Sequence, residues 1–386
     1  RPCLMKILTI DIGTGTQDVL LFDSRLNIEN GYKLILPSPT MQVWKNINDA
    51  ACEKRDIALS GVLSGGGPSC WAVQKHLQNG LKVFATSEAA KTLDDDLEAV
   101  QKMGVILVSE EEMTALPDSV QRIVMGDFDF RRIHQVFESF GVTLSDLALT
   151  AISVFDHGNA PAGISDRKYR FEYLDRRLRQ FNRLSALAYH AEDIPADLTR
   201  MLAVKQSADA LPCPLMVMDS APAAVLGAML DARASEHKHN MVVNIGNGHT
   251  LACRLGPGGI EGFFEHHTGC LSAESLNQYL LDFAAGRLTN ESVFSSQGHG
   301  ALCYTQEQLP MDHDDFNFLV TGPRRNMVRQ SALKPHFSAP FGDMMLAGCY
   351  GMLVAAADHY TNLAEAIRAS FAEDGSQARA PWDLPD

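Results

Sequence analysis

Apolar and polar residues alternate in short blocks at the start of the chain. Three apolar blocks, "KILTID", "DVLLFD" and "YKLILP", have the length and composition of strands, and turns rich in Gly, Asn and Asp separate them. Consecutive strands joined by short turns pair as hairpins. The pattern therefore predicts an antiparallel meander within residues 6–36.

From about residue 59 the apolar blocks alternate with helix-like segments. The stretch "LSGVLSGGGPSCWAVQKHLQNGLKVFAT" predicts a strand, a glycine-rich turn, a helix and a second strand. Pro68 suits the first helical turn, and Gly80 lies where a helix C-cap would fall. Because a strand–helix–strand unit implies a parallel pair of strands, we expect an α/β insertion at about 59–130.

Four apolar residues at helical spacing, Ile133, Val136, Phe137 and Phe140, predict an amphipathic helix. Beyond it, "LALTAISVFDHG" predicts a buried strand that ends in a polar turn. The stretch "PLMVMD" predicts a strand that leads into the small-residue helix "SAPAAVLGAML". The polar tract "DARASEHKHN" follows and is the best candidate for a domain boundary.

The pattern of the chain's start repeats after this tract. The blocks "MVVNIG", "HTLACRL" and "IEGFFEH" predict a second antiparallel meander, and "FNFLVTG" predicts a later strand. A helix is expected at about 341–358. We therefore predict an α/β protein of two domains, 1–230 and 239–386, each opening with an antiparallel meander and the first carrying the α/β insertion.

Composition and charge exclude several classes of protein. The 386 residues are 46% hydrophobic and 21% charged, which is typical of a globular protein with buried cores. The net charge of −14 is not offset by a basic patch, so we predict no nucleic-acid partner. No apolar run has the length of a membrane span or of a signal-peptide core. We expect a cytoplasmic protein with no membrane partner, and the sequence does not indicate its oligomeric state.

Eight cysteines are scattered along the chain, and no two lie in a C-x-x-C window. They are Cys3, Cys52, Cys70, Cys213, Cys253, Cys270, Cys303 and Cys349. Structural zinc and iron–sulfur sites generally use closely spaced thiolates. The scatter therefore favours reduced, mostly buried thiols.

Each predicted meander contains a glycine-rich turn between its first two strands. The first turn comprises Asp11, Gly13, Thr14, Gly15 and Thr16; the second comprises Asn244, Gly246, Asn247, Gly248, His249 and Thr250. Glycines let successive backbone N–H groups point at one phosphate. A carboxylate beside such a loop can hold the waters around Mg²⁺. One such loop alone is equally consistent with a tight hairpin, but two loops in separate domains favour a phosphate site.

At this point the sequence resembles the superfamily of sugar kinases, Hsp70-type chaperones and actin. Asp11 to Thr16 looks like its first phosphate motif, Asn244 to Thr250 like its second, and "LVTGPRRN", which contains Gly322, like its adenosine turn. "DSAPAAVLGA" and "LAGCYGML" resemble the two connecting helices, whose small residues permit close packing at a hinge. Asp219 matches the position of the catalytic Asp in the carbohydrate-kinase branch.

The resemblance implies two ribonuclease-H-like (actin-like ATPase) domains that close on Mg²⁺–ATP. Asp11 would anchor Mg²⁺ through water, and Asp219 would orient or deprotonate an acceptor. Two positions depart from the superfamily's pattern. Asn244 replaces the usual Asp of the second motif, and the lost charge weakens any hold on Mg²⁺ and argues against fast hydrolysis. Gly322-Pro323 replaces the usual Gly-Gly of the adenosine turn.

The chain as a whole also resembles a prokaryotic family that is labelled as a pyruvate formate-lyase activating enzyme. The matching stretches are "GTGTQDVLLFDS", "GGGPS", "DHG", "SDRKYRFEYL" and "PFGDMMLAGCYGML". That label implies a radical enzyme whose cluster is held by a C-x-x-x-C-x-x-C run. The chain has no such run, so the label and the sequence disagree about the chemistry.

Other polar clusters are weaker candidates for a substrate site. Gly65, Gly66 and Gly67 lie at a strand-to-helix junction, and either hold an anion or make a tight turn. Asp156 and His157 end a buried strand, and form either an acid–base or metal-binding pair or an ordinary polar turn. Asp166 and Arg167 make either an anion clamp or a solvated charge cluster.

Two adjacent histidines, His266 and His267, end a strand of the second meander. Adjacent residues of a strand point to opposite faces, so these two side chains are poorly placed to share one metal ion.

These observations favour an Mg²⁺–ATP-dependent phosphotransferase or ATPase that acts on a small metabolite. The alternatives are a non-catalytic nucleotide-binding regulator and an activator of a glycyl-radical enzyme, which would have a partner enzyme.

Overall fold

The computed structural model describes residues 5–309, 316–372 and 380–383, in which strands and helices form three sheets and their covering layers. The strands are β1 (Lys6–Ile12), β2 (Thr16–Asp23), β3 (Tyr32–Pro37), β4 (Ile57–Gly61), β5 (Val83–Ala85), β6 (Ile106–Leu107), β7 (Gln121–Met125), β8 (Leu147–Val154), β9 (Ala188–His190), β10 (Leu215–Asp219), β11 (His239–Ile245), β12 (His249–Gly256), β13 (Gly259–His267), β14 (Gly298–Cys303), β15 (Phe316–Thr321) and β16 (His336–Phe337). The helices are α1 (Pro39–Cys52), α2 (Pro68–Gln78), α3 (Ser87–Ala90), α4 (Leu97–Met103), α5 (Glu110–Ala115), α6 (Phe130–Glu138), α7 (Asp166–Phe181), α8 (Thr199–Gln206), α9 (Ser220–Ala228), α10 (Ala273–Ala284), α11 (Asn290–Ser295), α12 (Ala347–His359) and α13 (Thr361–Ala372). The protein is therefore a mixed α/β structure, as predicted.

The first sheet has the strand order β3-β2-β1-β8-β10-β9. Strands β1, β2 and β3 pair antiparallel, whereas β8 is parallel to β1 and β10 is parallel to β8. The predicted meander at the start of the chain is confirmed. Because β1, β8 and β10 are parallel, their carboxyl ends meet at one edge of the sheet, and the residues that follow them lie together there.

The second sheet repeats this arrangement with the order β14-β13-β12-β11-β15-β16. Its meander β11-β12-β13 is antiparallel, and β15 joins β11 in parallel. The second predicted meander is confirmed too. Each sheet thus has a first strand with an antiparallel hairpin on one side and a parallel strand on the other.

A third, wholly parallel sheet, β6-β5-β4-β7, is inserted between β3 and β8. Its strands β4 and β5 are joined by α2, which begins at Pro68 and is followed by Gly80 with φ +79°. The predicted strand–helix–strand unit is confirmed, and the sheet lies within the predicted insertion apart from the first two residues of β4.

Helices α9 and α12 cross between the two large sheets. A Cβ on Gly227 would overlap the backbone oxygen of Ala347, and a Cβ on Gly351 would overlap that of Ala223. The two backbones are therefore in direct contact, and the close packing predicted for the small-residue helices is confirmed.

The crossing places each helix over the sheet of the other half. Apolar residues of α12 and α13, including Leu353 and Ile367, are buried with Ile7 and Leu149 of the first sheet. Residues of α9, including Val225, are buried with strands of the second sheet. Each large core is thus completed by a helix from the other part of the chain.

Two predictions about helices are wrong in part. Phe140 was placed on the buried face of an amphipathic helix, yet α6 ends at Glu138 and Phe140 is 81% exposed. The chain turns away there, because Gly141 has φ +75°. The helix expected from 341 begins only at Ala347, because the positive φ of Phe341 and Gly342 interrupts the helical backbone.

Among the described helices, none combines the length and apolar character that a membrane crossing requires.

Candidate functional site

Asp11 lies where the three parallel strands of the first sheet end. The hydroxyl of Ser153 donates a hydrogen bond to Oδ1 of Asp11 at 2.6 Å, and the hydroxyl of Ser220 donates to the same oxygen at 2.8 Å. Burial raises the pKa of the Asp11 carboxyl above its ordinary value, although these two hydrogen bonds oppose the shift. The other oxygen lies against the backbone of Gly348 at the start of α12.

Asp18 is the partner of Asp11 across the β1–β2 hairpin. Its side chain is buried, and its Oδ1 has no hydrogen-bond partner among the described residues. Burial raises the pKa of Asp18 to about 8, and the negative charge of Asp11 adds to the shift. Within the described ranges, no Lys, Arg or His forms an ion pair with either carboxylate. The Asp11 and Asp18 carboxyl groups thus lie side by side on the hairpin with no cationic side chain of the described residues to neutralise them.

The first glycine loop, residues 13–16, is held by its carbonyl groups. The Ser38 hydroxyl donates to the backbone oxygen of Thr14 at 2.6 Å, and the Ser38 amide donates to that of Gly15 at 3.1 Å. The amide of Gly13 donates to the oxygen of Thr16 at 2.9 Å. In the described part of the chain, the amides of Thr14 and Gly15 donate to no backbone or side-chain acceptor.

The second glycine loop, residues 246–250, is built the same way. The amide of Gly246 donates to the oxygen of His249, and the amide of Thr268 donates to the oxygen of Gly248, both at 2.9 Å. The hydroxyl of Thr250 is buried and hydrogen-bonded to that of Thr268 at 2.9 Å. The fixed carbonyls again leave the amides at the loop's tip unengaged by the residues described.

The two loops face each other and touch. A Cβ placed on Gly15 would lie 2.7 Å from Nδ2 of Asn247, and a Cβ placed on Gly248 would lie 3.0 Å from the hydroxyl oxygen of Thr14. A side chain at either glycine would displace the Asn247 or Thr14 side chain of the opposite loop.

Gly322, from the predicted adenosine turn, lies beside the second glycine loop. It follows β15 with φ +96°, a conformation that favours glycine, and a Cβ here would lie 2.7 Å from Oδ1 of Asn244. The amide of Arg324 donates to the backbone oxygen of Ile245 at 3.0 Å. The structure thus brings Gly322 and Asn244 together.

Asp219, predicted to be catalytic, is engaged in a buried ion triad. Arg170 donates to both carboxylate oxygens of Asp219, at 2.6 and 3.1 Å, and to both oxygens of Glu265, each at 2.8 Å. Although burial acts to lower the pKa of Arg170, the charges of Asp219 and Glu265 raise it overall. In this conformation the Asp219 carboxylate is paired with Arg170. It could act as a base only after this ion pair has broken.

The glycine-rich turn before α2 is fixed by an ion pair. The amide of Gly65 donates to Oδ1 of Asp127 at 3.1 Å, and Nε of Arg200 donates to Oδ2 of the same carboxylate at 2.7 Å. The backbone oxygen of Gly65 accepts from the Ser69 hydroxyl at 2.9 Å. A Cβ on Gly66 would approach the backbone oxygen of Thr92, and Gly67 has φ +63°. These contacts favour the tight-turn interpretation of Gly65, Gly66 and Gly67.

The carboxylate of Asp156 also binds backbone amides. It accepts hydrogen bonds from the amides of Gly158 at 2.8 Å and Met201 at 2.9 Å. Burial raises the pKa of its carboxyl. Both oxygens are thus used to fix the turn after β8, as expected of an ordinary polar turn, and this turn presents His157.

Arg167, predicted as part of an anion clamp with Asp166, instead contacts the second half of the chain. Its guanidinium donates to the backbone oxygens of Phe294, at 3.1 Å, and Gly298, and lies 4.5 Å from the centre of the Phe294 ring. Asp166 is the first residue of α7, the helix that carries Arg167 and Arg170. These contacts leave Arg167 engaged with protein groups.

Histidines from both halves converge beside the Arg170 triad. One ring nitrogen of each of His157, His249 and His299 lies within 4.8 Å of those of the other two. His267 flanks them, its ring centre 4.8 Å from that of His249 and 4.6 Å from that of His299. Sequence reasoning missed His299, because its "GHG" context in β14 resembles no motif and only the folded sheet brings it to His157.

A cavity of about 590 Å³ lies between the inserted sheet and the first sheet. Polar and charged residues line part of it, including Gln17, Gln42, Asn46, Asp129 and Arg132. None of its lining residues belongs to either glycine loop or to the histidine cluster. The cavity is therefore separate from the groups that carry the candidate chemistry.

Residues 64–327 match the family described as "Putative pyruvate format-lyase activating enzyme (DUF1786)", which is more than half of the chain. The chain belongs to this family. The matched DUF1786 region contains Asp219, the second glycine loop and the three convergent histidines, and it begins after Asp11 and the first loop. Among the curated proteins, nothing matches.

Two solved structures are similar at low identity. A ROK family transcriptional regulator, a homologue of the E. coli MLC protein, is 8% identical with a TM-score of 0.22, and the match covers 67% of this chain and 38% of the regulator. MreB5 of Spiroplasma citri bound to ADP is 9% identical with a TM-score of 0.30, and the match covers 92% of this chain and 99% of MreB5. At these TM-scores the two similarities do not establish a common fold with this DUF1786 chain.

Proposed function

We propose that the chain is an Mg²⁺–ATP-dependent phosphotransferase or ATPase of the sugar kinase/Hsp70/actin type, acting on a small metabolite. One observation carries the proposal: two sheets of matching strand order each present a glycine loop after the first strand, and the two loops face each other. A polyphosphate between them would be held from both sides. The proposal includes the ribonuclease-H-like character of both domains.

The loops are suited to an anion because of what their backbone groups do. Hydrogen bonds from Ser38 and Thr268 fix carbonyl oxygens of the two loops, and the Gly15 amide points away from the Ser38 hydroxyl because it shares a peptide plane with the Thr14 carbonyl. Within the described residues, the amides of Thr14, Gly15 and Gly248 donate to no acceptor. Successive free N–H groups form a concave site for phosphate oxygens. Glycine at positions 15 and 248 lets phosphate approach the backbone closely.

Asp11 and Asp18 fit a divalent cation. Two adjacent acidic side chains, one with a buried oxygen that has no partner, lack a cationic neighbour among the described residues. Carboxylate oxygens, directly or through water, are the ligands that Mg²⁺ prefers, and when bound the ion neutralises charge on the transferred phosphoryl group. Ser153 and Ser220 orient the Asp11 carboxylate for this task.

Nucleotide entry requires the halves to separate, because the two loops touch in the present conformation. We propose that the separation occurs about the α9–α12 crossing. Closure then excludes water from the reacting groups. In the transfer reaction Asp219 would leave Arg170 and orient or deprotonate the acceptor.

The direct test is the binding and turnover of ATP with and without Mg²⁺. The wild-type protein should bind Mg²⁺–ATP in calorimetric titration and release ADP. Asp11→Asn should lower turnover at least about 100-fold, because a metal ion contributes several kcal/mol of charge stabilisation. Asp209 is exposed, so Asp209→Asn serves as a matched control and should leave turnover unchanged. Absence of ATP binding by the wild-type protein would overturn the proposal.

A second candidate is a nucleotide-binding regulator without turnover. The occupied Asp219 carboxylate and the uncharged Asn244 favour it. Tight binding of ATP with no release of ADP, and no effect of Asp219→Asn on binding, would support this alternative over the enzyme.

The family description is consistent with a third candidate function, the activation of a radical enzyme. That enzyme would then be a partner of this protein. Within the described residues no group of three cysteines is placed to hold a metal or cluster. Anaerobically purified protein should therefore lack the visible absorption of an iron–sulfur cluster, and a cluster spectrum would restore the activator interpretation.

A further inference from the structure

We propose that His157, His249 and His299 bind a divalent transition-metal ion of the Zn²⁺ class, with a coordination position left open. This proposal does not depend on nucleotide binding. It assigns a second ion site, built from nitrogen ligands, apart from the oxygen ligands of Asp11 and Asp18.

The geometry brings three ligand atoms to one point. Ring nitrogens of the three histidines lie within 4.8 Å of one another. A tetrahedral Zn²⁺ ion bound at about 2.0–2.1 Å separates its ligand nitrogens by about 3.4 Å. Binding therefore requires the ring nitrogens to move closer together than their present separations of up to 4.8 Å. Three histidines and an open fourth position are typical of a catalytic zinc site.

The ring nitrogens are available as ligands. His299 is 1% exposed, yet both its nitrogens lack a hydrogen-bond partner in the described structure, and so does Nε2 of His249. Unpartnered polar atoms in a protein interior are costly, and a metal ion would satisfy them. Burial lowers the pKa of His157 to about 3, with the charge of Arg170 acting the same way, and also lowers the pKa values of His249 and His299.

The surroundings of the three rings would support a bound ion. The Phe155 ring stacks on His249 with ring centres 3.6 Å apart, and Arg170 covers the other side of Phe155. Arg170 is itself held by Asp219 and Glu265. Oε2 of Glu265 lies 3.9 Å from Nε2 of His299. A nearby acidic group that does not itself coordinate is a common neighbour of zinc-bound histidines.

The backbone on both sides of His299 is closely packed. Gly298 and Gly300 flank it, and a Cβ on Gly300 would meet the Phe171 ring and the Asn290 side chain. The site also joins the two halves, because His157 follows β8 of the first sheet while His249 and His299 belong to the second sheet. A bound ion would therefore favour the closed arrangement of the glycine loops.

Cobalt substitution tests the proposal. Protein stripped of metal with a chelator and then dialysed against Co²⁺ should bind one equivalent and show the intense visible d–d absorption of a four-coordinate ion. Zn²⁺ should displace it. Both His299→Gln and His157→Gln should weaken the affinity for Co²⁺ by more than the 10–100-fold that loss of an outer-shell partner causes. The matched control, His134→Gln, lies outside the cluster and should bind like the wild type.

Two further measurements keep the result decisive. Circular dichroism of each variant without metal shows whether it is folded, and the wild-type titration stands even if a variant is not. Asp11→Asn should retain the full equivalent of Co²⁺, which separates this site from the proposed nucleotide site. The proposal would be overturned if the wild type bound less than about 0.1 equivalent of Co²⁺. It would also be overturned if Asp11→Asn lost Co²⁺ while His299→Gln retained it.

Discussion

Asp11 and Asp18 are neighbours across the first hairpin, and their different surroundings give them different roles. Two serine hydroxyls hold the Asp11 carboxylate, whereas Oδ1 of Asp18 is buried and has no hydrogen-bond partner in the part of the chain that the structure describes. An acid in such a place is more easily ionised in the unfolded chain than in the folded one. Asp18 therefore links the stability of the protein to pH.

The free energy of unfolding should fall as pH rises from about 4 to about 8. The pKa of Asp18 is raised to about 8 in the folded protein, so the folded state holds a proton that the unfolded state has released in this range. The loss is on the order of 1 kcal/mol per pH unit. Asp18→Asn should abolish this part of the dependence and stabilise the protein at pH 8.

Urea unfolding at pH 5, 6.5 and 8, followed by circular dichroism, measures this effect. Asp209→Asn, an exposed change of the same type, should follow the wild-type pH dependence. Identical slopes for the wild type and Asp18→Asn would show that Asp18 is ionised when folded.

At the scale of elements, the α9–α12 crossing depends on two glycines. The backbone of each helix contacts the other at Gly227 and Gly351, with no space for a Cβ at either position. Because the contacted atoms are backbone oxygens, a side chain cannot be accommodated by a rotamer change. The helices would have to move apart.

Gly227→Ala and Gly351→Ala should each lower the free energy of unfolding by about 3 kcal/mol, at the upper end of the usual cost of overpacking. Gly269→Ala is the matched control, since no atom of the described residues lies within 4 Å of the position of its Cβ, and it should change stability by less than about 0.5 kcal/mol. Thermal and urea unfolding provide the comparison. A neutral effect at Gly227 would mean that the helices do not cross in contact.

Local sequence patterns predicted most elements because the physical causes are local. Apolar blocks with glycine-rich turns gave both meanders, and Pro68 and Gly80 gave the limits of α2. The errors arose where a backbone angle overrides periodicity. Phe140 continues the helical spacing of α6, but the positive φ of Gly141 turns the chain outward.

At the scale of the whole molecule, Arg170 joins the two halves through charge. Its guanidinium binds Asp219 of the first sheet and Glu265 of the second, and all three side chains are buried. Removing one partner of a buried ion pair leaves an uncompensated charge in the interior. This triad is therefore a sensitive point of the interface.

Arg170→Met should destabilise the protein by about 3–5 kcal/mol, because two carboxylates are left buried without their partner. Arg287→Gln breaks the exposed pair with Asp282 and should cost less than about 1 kcal/mol. Urea unfolding of both variants against the wild type tests the difference. Equal effects of the two substitutions would contradict the importance of the triad.

Sequence patterns located the parts of the candidate site but not their contacts. The glycine loops and Asp11 were recognisable because each belongs to a motif of a few consecutive residues. The engagement of Asp219 by Arg170, and the meeting of His157 with His299, depend on residues far apart in the chain and on the packing of two sheets. No local pattern carries that information.

The exchange of helices α9 and α12 between the two sheets has a practical consequence for anyone who dissects this chain. A fragment cut after residue 230 would keep α9 without the second-sheet strands that bury part of it, while the apolar surface normally shielded by Leu353 and Ile367 would face solvent. A self-sufficient first half would have to be made as a fusion, with 346–372 attached through an artificial linker and α9 retained, because Ala223 of α9 is buried in the core that α12 completes.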